Sequence, residues 1–205
     1  MTGTLPVVET FHSLQGEGLH AGRSAFFIRL GGCSVGCSWC DTKHSWPADM
    51  HPQRSLAELA AEAQAAAIAG AAFVVITGGE PLHHDLAALC DALPAAGLPL
   101  HLETSGVDPL SGRFAWITLS PKRHKPPLPE LLAACQELKV VVHEPEDLGF
   151  AEAMAAAAQA AGNHPALLVQ PGWDSQLGQE LSVNFVKAQP TWRLSLQSHK
   201  QLGVR

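Results

Sequence analysis

Three of the chain's five cysteines fall within eight residues, in Gly31-Gly32-Cys33-Ser34-Val35-Gly36-Cys37-Ser38-Trp39-Cys40-Asp41-Thr42. Glycines before and inside the run let the backbone turn sharply. Three thiolates this close can grip a soft metal centre. The spacing C-x3-C-x2-C can hold three irons of a [4Fe–4S] cluster, which leaves the fourth iron open to a small ligand. The competing reading is a closed zinc site made of Cys33, Cys37, Cys40 and His44. Cys90 and Cys135 stand alone in apolar runs and read as small buried hydrophobes.

Two further stretches carry chemistry. Thr77-Gly78-Gly79-Glu80-Pro81 closes the apolar run Phe73-Val74-Val75-Ile76. Its glycines let backbone groups approach a ligand, and Glu80 can accept from an ammonium group; a plain strand-to-helix turn is the alternative. Arg29 interrupts Ser24-Ala25-Phe26-Phe27-Ile28-Arg29-Leu30. A charge there needs a partner or a ligand. Either an ion pair or a bidentate grip on a ligand carboxylate satisfies it.

The elements that must hold these residues alternate. Apolar runs of strand length lie at 24–30, 73–76, 98–102, 114–119, 138–142 and 166–169, and 6–10 reads as a further short strand. Helices are expected at 55–70, 83–93, shortly after 126–129, at 146–161 and around 176–188. The first opens on the capping box Ser55-Leu56-Ala57-Glu58. Residues 12–18 read as a polar loop. Short buried strands between helices imply βα units. We expect one α/β domain over 1–205, a partial, open βα barrel of about six parallel strands. Residues 1–23 then lead into it and 192–205 form a tail. Sites in such folds gather at the C-terminal strand ends, and here those ends are polar or glycine-rich.

Composition narrows the partners. With 46% hydrophobic and 16% charged residues the chain can build a core. Lys plus Arg is 13 against 19 Asp plus Glu, a net charge of −6, which argues against nucleic acid or an anionic membrane surface as partner. No apolar run reaches membrane-spanning length and the N-terminus lacks a signal-peptide plan, so a cytoplasmic location is expected. Clustered thiols in a reducing compartment suit metal binding.

The cysteine loop, with Trp39 before its last cysteine, and the Gly78-Gly79-Glu80 motif one strand later resemble the radical S-adenosylmethionine superfamily. That resemblance implies a [4Fe–4S] cluster on Cys33, Cys37 and Cys40, with S-adenosylmethionine on the open iron and its amino group at the Gly-Gly-Glu motif. Reductive cleavage then gives a 5′-deoxyadenosyl radical.

A closer resemblance spans most of the chain. It rests on Glu9-Thr10-Phe11-His12-Ser13-Leu14-Gln15-Gly16-Glu17-Gly18, Phe27 to Cys33, Cys40-Asp41-Thr42, Thr104-Ser105-Gly106, Ser120-Pro121-Lys122 and Gln197 to Gly203. These resemble 7-carboxy-7-deazaguanine synthases, which convert 6-carboxy-5,6,7,8-tetrahydropterin to 7-carboxy-7-deazaguanine with loss of ammonia, towards queuosine and related 7-deazapurines. The resemblance implies that Leu14, Gln15, Gly16, Glu17, Arg29, Thr77, His199 and Arg205 face the pterin. Arg29 takes its carboxylate. Trp39, Cys40, Asp41, Gly79 and Glu80 face S-adenosylmethionine, with Ser120, Pro121, Lys122, Gln170, Pro171, Gly172 and Trp173 across the pocket. Thr42 supplies its hydroxyl to a magnesium ion; read from residues alone it is a helix cap. Glu17 alone reads as a solvated carboxylate, and the tail alone as a frayed end. A homodimer and a flavodoxin-like or ferredoxin-like electron donor are also implied. The rival readings are an activase that installs a glycyl radical on a partner enzyme, and a non-enzymatic zinc or iron–sulfur module. The Gln15–Gly18 loop, Arg29 and the His199-Lys200 tail weigh against the first.

Overall fold

Alternation along the strands decides which side of the sheet meets helices and which side meets the site. The computed structural model describes residues 3–205, with the side chains of 94 and 95 excepted. Met1 and Thr2, the start of the domain expected over 1–205, lie outside the described residues. The strands are β1 (Thr4–Leu14), β2 (Ser24–Leu30), β3 (Gln53–Ser55), β4 (Val74–Gly78), β5 (Leu100–Thr104), β6 (Trp116–Leu119), β7 (Glu137–Val142), β8 (Ala166–Pro171) and β9 (Trp192–Leu194). They form one nine-stranded sheet in the order β3-β1-β2-β4-β5-β6-β7-β8-β9. From β2 to β9 every neighbour is parallel. β1 and β3 add antiparallel strands at one edge. The edge strands β3 and β9 do not pair, so the barrel stays open.

The six expected parallel strands are all present, and the short β9 extends the set. Two other expectations change. Residues 12–14 belong to β1, because antiparallel pairing runs from Val7↔Leu30 to Leu14↔Ser24. The helix expected over 83–93 is instead a 3-10 turn, Pro81–His83, followed by the short helix α2 (Ala87–Ala92). The Glu80 carboxylate accepts from Leu82 N and fixes that turn. The other helices are α1 (Leu56–Ile68), α3 (Pro129–Ala134), α4 (Pro145–Ala160), α5 (Gln176–Ala188) and α6 (Ser198–Leu202). The capping box of α1 is formed: Ser55 Oγ accepts from Glu58 N and Glu58 Oε2 accepts from Ser55 N. Such a cap contributes about 1 kcal/mol.

One set of alternate strand residues packs against the helices. Phe26, Ile28, Val74, Ile76, Leu100, Leu102, Ile117, Leu119, Leu138, Val140 and Val169 are all in the main core with Leu59, Leu89, Leu131 and Ala155. Each large apolar side chain so buried stabilises by roughly 1.5–3 kcal/mol. The intervening residues face inward. At the N-terminal ends of the strands these are Phe73, His101, Trp116 and Glu137, and they plug the barrel's lower end. The rings of Phe73 and His101 stack at 4.2 Å, and His20, from the loop after β1, lies 4.5 Å from Trp116. Burial pushes His101 down to about 4, helped by His20 and Arg23 nearby. Above this plug polar residues such as Arg29, Thr77, Glu103 and Lys139 join Phe27, Val75 and Val141 on the inward face, and the site begins.

Candidate active site

A cavity of about 530 Å³ opens above the plug, at the C-terminal strand ends. This is the size of a small-molecule site. Of the side chains expected to face a ligand, all but Pro121 and Pro171 line it. Pro121 is buried and Pro171 ends β8, while Ser120, Lys122, Gln170, Gly172 and Trp173 reach the cavity.

One wall is the thiol loop. Cys33, Cys37 and Cys40 all line the cavity and are free thiols. Burial pushes the Cys33 and Cys37 thiols up, and the neighbouring thiols add to this, so the three sense one another. Yet among the described residues no three His, Cys, Asp or Glu side chains are close enough to share one ion. His44, the fourth ligand of the zinc reading, is exposed. The spacing of the three thiolates suits three corners of a [4Fe–4S] cluster, and the exposed His44 does not turn in to make a fourth ligand with them.

Gly78-Gly79-Glu80 packs directly behind this loop. Gly79 N donates to Leu30 O, and Glu80 N donates to Gly32 O at 2.8 Å. A Cβ on Gly79 would stand 2.3 Å from Gly32 O and 2.8 Å from the Cys33 Cβ. The close approach that requires glycine is thus to the thiol loop's own backbone. Glu80, expected to meet an ammonium, is 1% exposed, and its carboxylate already accepts from Leu82 N, Thr104 Oγ1, and the amide and hydroxyl of Ser105. Four donors fill its lone pairs, so its carboxylate ties the ends of β4 and β5 together. Thr42 stands at the start of the 3-10 turn Lys43–Ser45, but its hydroxyl does not cap that turn. It lies 3.5 Å from Cys40 Sγ and lines the cavity.

The opposite wall is polar and buried. Lys139 points inward from the apolar run of β7, with its side chain 3% exposed. Its Nζ lies 2.5 Å from Glu17 Oε2 and 3.5 Å from Glu103 Oε2. Gln15 Nε2 donates to Glu103 Oε1 at 3.1 Å, and Glu17 N donates to Gln15 Oε1. Burial raises Glu17, but Lys139 overrides it and holds the carboxyl down at about 2. Burial dominates at Glu103 and, with Glu17 and Glu137 close by, pushes it up to about 7 against the pull of Lys139. Lys139 itself is held well above its ordinary value: desolvation opposes its charge, but three carboxylates outweigh it. Glu17 is accordingly a paired, inward carboxylate and not a solvated loop residue.

Arg29 closes a third side. Its Nε lies 3.0 Å from Glu9 Oε1, while Arg205 Nη1 lies 2.9 Å from Glu9 Oε2. Among the described residues the Nη atoms of Arg29 make no hydrogen bond to protein, and the guanidinium borders the cavity. The C-terminal tail is a tied strap and not a frayed end. Ser198 N donates to Gly16 O, Gln197 Nε2 donates to Glu17 Oε1 at 2.9 Å, and Lys200 pairs with Asp41. The His199 ring packs so tightly on Gly16 that a Cβ there would meet it at 2.1 Å.

Lys139 and Glu103 had no assigned role in the sequence reading. The available signal was Lys139 itself, a charge inside Leu138-Lys139-Val140-Val141-Val142, the same anomaly that singled out Arg29.

The profile of the radical SAM superfamily matches residues 27–141. With the open parallel barrel and the three-thiol loop, it defines a radical S-adenosylmethionine protein. The 7-carboxy-7-deazaguanine synthase of Prochlorococcus marinus is 54% identical over the whole of both chains. The synthase of the same name from Synechocystis sp. is 50% identical over all of this chain and 96% of its own. The crystal structure of QueE from Escherichia coli superposes with a TM-score of 0.83 at 33% identity, covering 96% of this chain and 95% of that one. The chain belongs to the 7-carboxy-7-deazaguanine synthase family.

Proposed function

We propose that the chain converts 6-carboxy-5,6,7,8-tetrahydropterin to 7-carboxy-7-deazaguanine and ammonia, a carbon–nitrogen lyase step in queuosine and 7-deazapurine biosynthesis. One observation carries this reading: a single cavity joins a three-thiol loop to a polar wall of buried Gln15 and Lys139 with half-buried Glu17 and Glu103. A cluster held by Cys33, Cys37 and Cys40, with S-adenosylmethionine bound, would supply the one-electron chemistry needed to remove hydrogen from the carboxylated carbon of the substrate.

The chain's own residues supply aim. Arg29 takes the substrate carboxylate, with Arg205 closing the same side. Glu17 stays ionised and accepts N–H bonds from the guanidine-like edge of the pterin. Gln15 is pinned by Glu17 N and Glu103, so Leu14, Gln15 and Gly16 present a fixed floor to the ring. Glu103 can hold or release a proton at its carboxyl near neutral pH. Thr77 borders the ring, and His199 with the tail strap excludes water. Trp39, Asp41, Gly79, Ser120, Lys122, Gln170, Gly172 and Trp173 form the S-adenosylmethionine side. The Thr42 hydroxyl, beside Cys40 Sγ and on the cavity wall, suits a magnesium ion that completes its shell with substrate oxygens and water. We read residues 1–205 as one domain, active as a homodimer with a flavodoxin-like or ferredoxin-like electron donor. A cytoplasmic location suits its free thiols; no helix is long and apolar enough to cross a membrane among the described residues.

Anaerobically reconstituted protein, incubated with S-adenosylmethionine, reductant and the carboxylated tetrahydropterin, should yield 7-carboxy-7-deazaguanine by mass spectrometry. Cleavage of S-adenosylmethionine without that product would refute the substrate while keeping the chemistry class.

A further inference from the structure

Three imidazoles from outside the thiol loop grip its backbone. His84 Nε2 donates to Gly31 O at 2.7 Å and His124 Nε2 donates to Val35 O at 3.0 Å, so both rings carry a proton on Nε2. His83 does the reverse. Ser34 N donates to His83 Nε2 at 2.9 Å, which makes that nitrogen the acceptor. The His83 proton is then on Nδ1, donated to the Asp108 carboxylate.

Ser34 Oγ lies 3.1 Å from the same Nε2, which gives the outline of a Ser-His-Asp triad. The chemistry does not follow, because the Ser34 amide already occupies the Nε2 lone pair. Lys125 Nζ also holds Ser34 Oγ at 3.1 Å and Ser34 O at 3.3 Å. The Ser34 N–H is thereby committed to His83. Ser34 directly follows Cys33, so this contact fixes the backbone beside a thiolate of the cluster loop. Hydrogen bonds to ligand sulfurs help set the stability and potential of an iron–sulfur centre. His83 in turn ends the 3-10 turn that Glu80 fixes, so the Gly-Gly-Glu motif places this imidazole.

We propose that Asp108 and His83 are positioning residues for the cluster: Asp108 selects the His83 tautomer that accepts the Ser34 N–H, and that contact fixes the loop backbone beside Cys33. The inference rests on the cluster reading above. It adds a control that acts on the loop's backbone and touches neither the irons nor the substrate.

Three variants of the full chain test it. His83→Leu removes the acceptor. Asp108→Asn is isosteric at a partly exposed position, and it exchanges the carboxylate for a neutral amide that can pair with either tautomer, so nothing holds the His83 proton on Nδ1 and the Ser34 contact is lost part of the time. His83→Gln keeps an amide oxygen that can accept the Ser34 N–H. After anaerobic reconstitution, iron loss to a chelator should be about tenfold faster or more in H83L and D108N. Their reduced clusters should show an altered electron paramagnetic resonance line shape. H83Q should resemble the parent in both, and thermal unfolding of the iron-free proteins should be unchanged by D108N. Parent-like chelation and spectra in both H83L and D108N would overturn the proposal. So would an H83Q that loses iron as fast as H83L, which would assign the effect to ring packing. A parent chain that takes up no iron overturns the cluster reading itself, and this inference with it.

Discussion

Replacing Lys139 by Met removes a buried cation from between two carboxylates and keeps most of its stem. The side chain is 3% exposed, and those of Glu17 and Glu103 about a fifth. Without Lys139, Glu17 has two courses. It can stay ionised with Gln197 as its remaining donor, and an uncompensated buried charge costs roughly 3–5 kcal/mol. It can instead take a proton at pH 7. From its ordinary value of 4.5 that is about 2.5 pH units, or about 3.4 kcal/mol at roughly 1.36 kcal/mol per unit. The cheaper course sets the loss at about 3 kcal/mol, roughly 6–12 °C in a chain of this size. The sign with pH follows from the direction of the shift. In the parent, Glu17 lies below its unfolded value, so its contribution is present above 4.5 and is lost as pH falls towards 2. In the variant, burial leaves Glu17 above its unfolded value, so stability returns as pH falls. At pH 5 the proton costs about 0.7 kcal/mol, and the deficit should shrink accordingly. Urea unfolding of the iron-free protein at pH 7 and pH 5, followed by circular dichroism, measures both numbers. A deficit under about 1 kcal/mol at pH 7, the range of an exposed pair, or one that does not shrink at pH 5, would refute the buried triad.

Other variants probe the remaining walls. Glu80→Gln puts an NH2 group among the four donors around that carboxylate, and should cost about 3 kcal/mol in thermal unfolding. Gly79→Ala drives a Cβ into Gly32 O and the Cys33 Cβ, so iron per chain after reconstitution should fall although every cysteine remains. Thr42→Ala should keep full iron content and lose the dependence of rate on added magnesium, since its hydroxyl caps no helix.

Much of the fold was legible because parallel strands buried on both faces leave continuous apolar runs, as at 73–76 and 166–169. The end of β1 was not, because His12, Ser13 and Leu14 are ordered by pairing with Ser24–Phe26 and not by their own propensities. The short β9 depends in the same way on β8. The thiol loop and Arg29 announce themselves as anomalies of type and spacing. Lys139 offers the same anomaly, but its partners Glu17 and Glu103 lie 122 and 36 residues away, and only the folded barrel brings them together. Glu80 shows the opposite limit. Its motif marks the right place, yet its carboxylate is spent on Thr104 and Ser105, a use that no local spacing reveals. The histidine contacts to the thiol loop are hidden for the same reason, since Asp108 and His83 meet across two loops.

Ammonia release under anaerobic turnover bears on the whole reading at once. Reconstituted parent protein with S-adenosylmethionine, reductant, magnesium and 6-carboxy-5,6,7,8-tetrahydropterin should release ammonia and 7-carboxy-7-deazaguanine in equal amounts, and Cys40→Ala should release neither. A parent protein carrying its full iron complement that forms no ammonia from this substrate would contradict it.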